Sequence, residues 1–148
     1  MPAIRSVAEM LSPAEYQTLA ELRYQLARFL RRRRDAAQSA GLEPQQYELL
    51  LAVKGLPHGK LPTIKEVAAQ LQLQHHSVVE LADRLERRGL LERRPSERDR
   101  RFVLLSVTRR GQEALNRVVR YSFGHLRTEA PELVKTLGRI LKAKARRS

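Results

Sequence analysis

Residues 63–90 read TIKEVAAQLQLQHHSVVELADRLERRGL, and residues 91–108 continue LERRPSERDRRFVLLSVT. Thr63-Ile64-Lys65-Glu66 has the form of a capping box, which starts a helix. Ile64, Val67, Ala68 and Leu71 then fall at i, i+3, i+4 and i+7. After a short turn near Gln72-Leu73-Gln74 the spacing returns in Val78, Leu81, Ala82 and Leu85. Gly89 suits a left-handed cap, with Leu90 placed to fold back as its apolar contact. Two short helices with matching stripes and a turn of about three residues predict a helix-turn-helix. Leu91 to Arg94 predicts a short strand, Pro95 to Arg101 a charged tip, and Phe102 to Val107 a returning strand. A helix-turn-helix followed at once by a hairpin is a winged helix.

Working outward, Ser12-Pro13-Ala14-Glu15 predicts the start of a long helix, with Leu19, Leu22, Leu26, Phe29 and Leu30 as its stripe and Gly41 as its stop. Such a rod is longer than a domain of this size needs internally, which suggests packing against another chain. A second helix is expected from Pro44 to Val53, with Tyr47, Leu50 and Leu51 on one side. The run Gly55 to Pro62 reads as a loop by its Gly and Pro content. Beyond the wing, one helix is expected from Thr108 to about Arg127, with Leu115, Val118 and Val119 inward. Pro131 is expected to open a last helix, and the basic tail from Lys142 to Ser148 to fray. The fold class is mainly α with one small β-hairpin: a winged helix-turn-helix plus a helical dimerisation region.

Composition narrows the function. Lys and Arg number 29 against 16 Asp and Glu, a net charge of +13. That excess favours nucleic acid or an anionic membrane surface and does not choose between them. There is no cysteine, which excludes disulfides, thiolate metal sites and thiol sensing and fits a reducing compartment. The first ten residues, MPAIRSVAEM, lack the apolar stretch of a signal peptide, and no run of about 18 apolar residues exists to span a membrane.

With the apolar stripe of the second motif helix turned inward, its other face carries His76, Glu80, Asp83 and Arg87, flanked by Ser77 and Arg84. In helix-turn-helix proteins the first turns of this helix meet base edges in the major groove. That puts His75, His76, Ser77, Val79 and Glu80 nearest the bases and leaves Thr63, Arg84 and Arg87 to the phosphate backbone. Ser and His can hydrogen-bond base edges, Val79 can touch a thymine methyl and Glu80 can accept from cytosine N4. Glu80 and Asp83, if unpaired, oppose a polyanion and weaken non-specific binding. An ordinary solvated helix face would look the same taken alone; the adjoining wing is what weighs against it.

The tip, Glu97 to Arg101, is five charged residues in a row. Arg98, Arg100 and Arg101 suit insertion into a narrow minor groove, and Asp99 can hold one guanidinium in a two-toothed contact. Adjacent His75 and His76 point about 100° apart on a helix, so they do not make a metal site. Arg31 to Arg34 point all round their helix and read equally as phosphate contacts, a nuclear address or a solvated helix end.

Leu85-Glu86-Arg87-Arg88-Gly89-Leu90-Leu91-Glu92-Arg93, then Asp99-Arg100-Arg101, then Leu105-Ser106-Val107-Thr108-Arg109-Arg110-Gly111 resembles a MarR-type transcriptional regulator. The shared pattern is DRLE-x-x-GL-x-x-R, then DRR, then LT-x-x-G, with Val107-Thr108 at the last Leu-Thr. The order of six helices and one wing matches as well. The resemblance implies a bacterial, cytoplasmic, nucleoid-associated homodimer that binds double-stranded DNA at an inverted repeat, most simply as a repressor. It implies dimerisation through residues 10–40 and 112–145, a DNA-binding lobe at 44–108 within a single domain of 1–148, and a small aromatic anion as effector. Asp99 and Arg101 match the family's Asp-x-Arg, which makes Arg101 the leading minor-groove residue. Two positions depart from the pattern: Gln74 stands at the N-cap where Ser, Thr, Asn or Asp is the better cap, and Glu80 stands where the family commonly has a neutral or basic residue.

Three other classes fit the sequence less well. An enzyme lacks support: no Ser-His-Asp arrangement, Gly-rich phosphate loop or carboxylate pair stands out, and no cofactor or metal is called for. An RNA-binding winged helix would want more aromatics than the 5% present. A helix lying on a membrane surface would need only the charge.

Overall fold

The computed structural model describes the backbone of residues 11–147 and the side chains of residues 11–143. The first ten residues and the last side chains of the basic tail lie outside that range. In chain order the elements are α1 (Pro13–Ser39), α2 (Pro44–Lys54), α3 (Ile64–Leu71), α4 (His75–Arg87), β1 (Leu91–Pro95), β2 (Val103–Val107) and α5 (Arg109–Arg147). The chain divides into two compact units. One holds residues 33–121 and the other residues 11–32 with 122–147, so α1 and α5 each contribute to both.

The 33–121 unit carries the winged helix. Gly41, at φ 79°, stops α1, and the Leu42 amide reaches back to the Ala37 carbonyl at 2.9 Å. Thr63 caps α3, its Oγ1 accepting the Glu66 amide at 3.2 Å. The expected box is only half formed, because the Thr63 amide donates to the Leu61 carbonyl (2.8 Å) and the Glu66 carboxylate lies 4.0 Å from Lys60 Nζ. The turn to α4 passes through Gln72 in a left-handed conformation (φ 56°). Gln74 is the N-cap of α4 without contributing a side-chain bond, so the helix starts where the periodicity places it. At the other end Gly89 sits at φ 72° and the Leu90 amide bonds the Leu85 carbonyl at 3.0 Å.

The core of this unit is aliphatic: Leu49, Leu50, Val67, Val78, Leu81, Leu85, Leu90, Leu91, Leu105, Leu115 and Val118 are all buried. Burial of one such side chain is worth roughly 1.5–3 kcal/mol. Tyr47 and Leu50 face inward, but Leu51 is 40% exposed while Leu49 is fully buried, so the buried residues of α2 are Gln46, Tyr47, Leu49, Leu50 and Ala52. β1 and β2 pair antiparallel with Leu91 opposite Val107 and Pro95 opposite Val103.

The wing is fastened at its base. Thr108 Oγ1 donates to the Gly89 carbonyl (2.7 Å) and accepts the Gly111 amide (3.1 Å), and the Thr108 amide donates to the Leu90 carbonyl (3.2 Å). Thr108 thus caps α5 and ties the end of β2 to the end of α4. Gly111 lies so close that a Cβ there would stand 2.1 Å from the Leu90 oxygen. The terms GL and T-x-x-G of the sequence pattern are therefore two halves of one joint.

In the other unit, Arg32 Nη1 contacts Glu129 and donates to His125 Nδ1 at 3.0 Å, and Gln25 Nε2 donates to the buried Thr136 hydroxyl at 3.0 Å. Glu21, Tyr24, Leu26, Phe29, Leu126 and Leu133 help to line a cavity of about 210 Å3 there. Many apolar residues of this unit stay exposed, among them Tyr16, Leu19, Leu26, Leu30, Val134, Leu137 and Leu141.

Three expectations need correction. The two helices expected on either side of Pro131 are one, Arg109–Arg147, with Pro131 inside and the helix running on into the tail. Proline removes only its own N–H, leaving one helical acceptor unused, while the apolar spacing through Leu126, Ala130, Leu133 and Leu137 keeps its phase and favours continuity. Five helices, not six, are therefore found among the described residues. The Arg31–Arg34 run does not mark a helix end: α1 continues to Ser39, Arg33 is buried and Arg32 pairs with Glu129.

Candidate nucleic-acid interface

The face of α4 away from the core is set by its helical period. Val78, Leu81, Ala82 and Leu85 are buried, which leaves His75, His76, Glu80, Arg84 and Arg87 exposed, with Ser77, Val79 and Asp83 half-buried beside them. Thr63 is half-buried, its hydroxyl engaged at the start of α3. Arg87 Nε donates to the Asp83 carbonyl one turn back at 3.3 Å.

The wing tip is folded. Ser96 is buried, its amide donating to the Phe102 carbonyl at 2.9 Å while its Oγ accepts the Asp99 amide at 3.4 Å. The Phe102 amide donates to the Asp99 carbonyl at 3.1 Å. Inside this turn Asp99 grips Arg101. Nε lies 3.0 and 3.1 Å from the two carboxylate oxygens, Nη2 lies 2.6 Å from Oδ2, and the Arg101 amide donates to Oδ1 at 3.1 Å. The Arg101 side chain is nonetheless 85% exposed, so the other edge of its guanidinium faces solvent. Arg98 and Arg100 are exposed on either side of Asp99. The Arg101 guanidinium, and after it the Arg101 amide, hold the Asp99 carboxyl below its ordinary value, and Asp99 in turn raises Arg101.

Asp83 is paired, so the condition under which it would oppose a polyanion is not met. Arg93 of β1 donates from Nη2 to Asp83 Oδ1 at 2.7 Å and from Nη1 to Glu86 Oε1 at 3.2 Å, and its amide donates to Glu86 Oε2 at 3.2 Å. Sequence reading also passed over Arg88, whose Nη1 bonds Gln46 Oε1 (2.7 Å) and whose Nη2 bonds the Gly41 carbonyl (2.6 Å). The only signal for either arginine was its place in the motif; each partner is remote in sequence or on another element. Among the described residues no group of three His, Asp or Glu side chains could hold a metal ion, and no helix is long and apolar enough to cross a membrane.

A hairpin with a cationic tip, set directly after the second helix of a helix-turn-helix, defines a winged helix-turn-helix protein. The MarR family matches residues 40–101 of the chain, from just past α1 through the wing tip. It is 32% identical over 77 residues to the HTH-type transcriptional repressor MdtR of Bacillus subtilis (strain 168), a stretch covering 52% of this chain. The matched stretch spans about half the length of that relative, 48%. Among solved structures, CouR from Rhodococcus jostii RHA1 bound to p-coumaroyl-CoA superposes with a TM-score of 0.60 at 26% identity, over 77% of this chain and 84% of that one. A mutant MarR from E. coli complexed with operator DNA superposes with a TM-score of 0.64 at 20% identity, over 83% and 89%.

Proposed function

We propose that this protein is a transcriptional regulator that binds double-stranded DNA sequence-specifically, as a homodimer on an inverted repeat, and acts as a repressor in the bacterial cytoplasm. It works by binding and not by catalysis. The observation that carries the reading is the Asp99–Arg101 contact: a guanidinium clamped on one edge, exposed on the other, at the end of a hairpin fastened to α4. A clamped arginine loses little freedom on entering a minor groove, where the negative potential is concentrated.

In this reading His75, His76, Ser77, Val79 and Glu80 meet base edges. The first-turn amides of α4, which lack a side-chain cap, join Thr63, Arg84 and Arg87 at the phosphates. Arg98, Arg100 and Arg101, with Asp99 as the holder, form the minor-groove contact. Residues 44–108 are the DNA-binding lobe, and residues 10–40 and 112–145 pair with a second copy. The exposed leucines of α1 and α5 support that pairing, because a monomer would leave them in water. The repressor role is supported by MdtR, and an aromatic anion as effector by the p-coumaroyl-CoA bound to CouR.

Two copies carry +26, twice the +13 of one chain. If a dimer neutralises about six to ten phosphates, the logarithm of affinity falls with that of salt at a slope near −0.9 per contact. The test begins by selecting bound duplexes from random DNA; enriched sites should show a dyad with half-sites about one helical turn apart. On the selected duplex Arg101→Ala should weaken binding at matched ionic strength and reduce the salt slope by about 1. Undiminished binding by that variant, or enriched sites without a dyad, would overturn the reading.

A further inference from the structure

We propose that Arg93 is the positioning residue that locks the wing to the reading helix, so that the major- and minor-groove contacts are made as one rigid body. The inference rests on the DNA-binding reading above. Arg93 lies two residues along β1 from Leu91 and directly across the ladder from Leu105. A strand alternates its side chains, so these three residues share a face. Leu91 and Leu105 are both buried, and a third aliphatic residue would be the ordinary occupant of the position.

The arginine there is turned onto α4 instead. Its Nη2 and Nη1 reach Asp83 and Glu86, which are neighbours three residues apart on one helix face, and its own amide is bonded to Glu86 as well. Backbone and side chain of one strand residue are thus fixed to two points on α4. An apolar contact would tolerate sliding; a planar guanidinium with two carboxylate acceptors is directional and does not. With its side chain 26% exposed, Arg93 is also partly shielded from the salt that weakens surface pairs.

The charges sharpen the argument. Asp83 and Glu86 would each repel DNA, and one arginine offsets half of that charge. A purely electrostatic account therefore says that neutralising the two carboxylates strengthens binding. A positioning account says the reverse, because the wing loses its hold.

The experiment is a set of variants measured by fluorescence anisotropy on the selected duplex at one salt concentration, with thermal melts alongside. Loss of two partly exposed ion pairs corresponds to roughly a tenfold change in affinity. Arg93→Gln should weaken binding by about that factor in the parent, but by less than about twofold in an Arg101→Ala background, where the wing no longer carries its contact. Arg93→Lys keeps the charge without the fork and should recover only part of the loss. The paired Asp83→Asn and Glu86→Gln variant leaves the arginine stem in place, so it keeps the inference testable if Arg93→Gln folds poorly. It should weaken binding and remove hydroxyl-radical protection of minor-groove sugars. Additive losses with Arg101→Ala, full affinity with lysine, or tighter binding by the paired amide variant would each overturn the inference. An Arg101→Ala protein that binds like the parent would instead defeat the wing reading itself, so the two failures are distinguishable.

Discussion

Gly111→Ala should destabilise the protein although it exchanges a helical glycine for the best helix former. Glycine in a helix interior costs about 1 kcal/mol relative to alanine, so propensity alone predicts a gain. The surroundings reverse the sign. A Cβ at Gly111 would lie 2.1 Å from the Leu90 oxygen and 3.0 Å from both the Leu90 carbonyl carbon and Val107 Cγ1. The nearest atom is main chain and cannot swing aside like a flexible side chain. The Leu90 oxygen accepts the Thr108 amide, and the Leu90 amide closes α4, so relief by about 1 Å strains both bonds. One weakened hydrogen bond costs about 1 kcal/mol, and overpacking a filled site another 1–3 kcal/mol. The net loss after the propensity gain is about 2 kcal/mol, or roughly 6 °C in the melting temperature of a protein this size. Urea denaturation followed by circular dichroism measures it, as a lower midpoint at unchanged slope. Gly124→Ala supplies the control, because nothing lies within 4 Å of a Cβ there and the same exchange should be neutral or stabilising. If Gly111→Ala melts at or above the temperature of Gly124→Ala, the close packing of Leu90 against Gly111 is wrong.

Arg88→Ala removes charge-assisted bonds to Gln46 and the Gly41 carbonyl and should cost about 1–2 kcal/mol on denaturation while leaving the salt slope of DNA binding unchanged. The Asp99 carboxyl should titrate below the ordinary 3.8; because its folded value is depressed, the order it gives the tip is complete above that ordinary value and is lost as pH falls through the lowered one. Carbon NMR of the Asp99 carboxyl checks this, and Arg101→Ala should move the midpoint upward. Replacing exposed Leu19 and Leu137 by arginine should shift the protein to a monomer in sedimentation and abolish dyad-specific binding without unfolding the 33–121 unit.

The winged helix was legible because its signals are local. The stripes Ile64-Val67-Ala68-Leu71 and Val78-Leu81-Ala82-Leu85, the glycine stops at 41 and 89, and the β-prone run after the tip all act within a few residues. Two-toothed pairing of Asp99 with Arg101 was legible for the same reason, with partners two residues apart. What sequence could not show depends on other elements. Leu49 rather than Leu51 is buried because three other elements pack around α2, and a short apolar run carries no phase of its own. The pairing of Asp83 was not legible because its partner lies ten residues on, in a strand whose facing depends on ladder register. Pro131 was read as a boundary because its local cost is visible and the continuing packing on either side is not.

Thr108 anchors the hairpin at its root, whereas the turn from Ser96 to Phe102 closes on bonds of its own. Root and tip are thus separable modules, and their tolerance to change should differ accordingly. Lengthening or exchanging the tip leaves the root bonds intact, so new reach or new base preference is accessible through insertions there, while a single residue inserted within either strand, Leu91–Pro95 or Val103–Val107, would shift the ladder and release the joint. Diversification within such a lineage has one permissive address, and it is the outermost one.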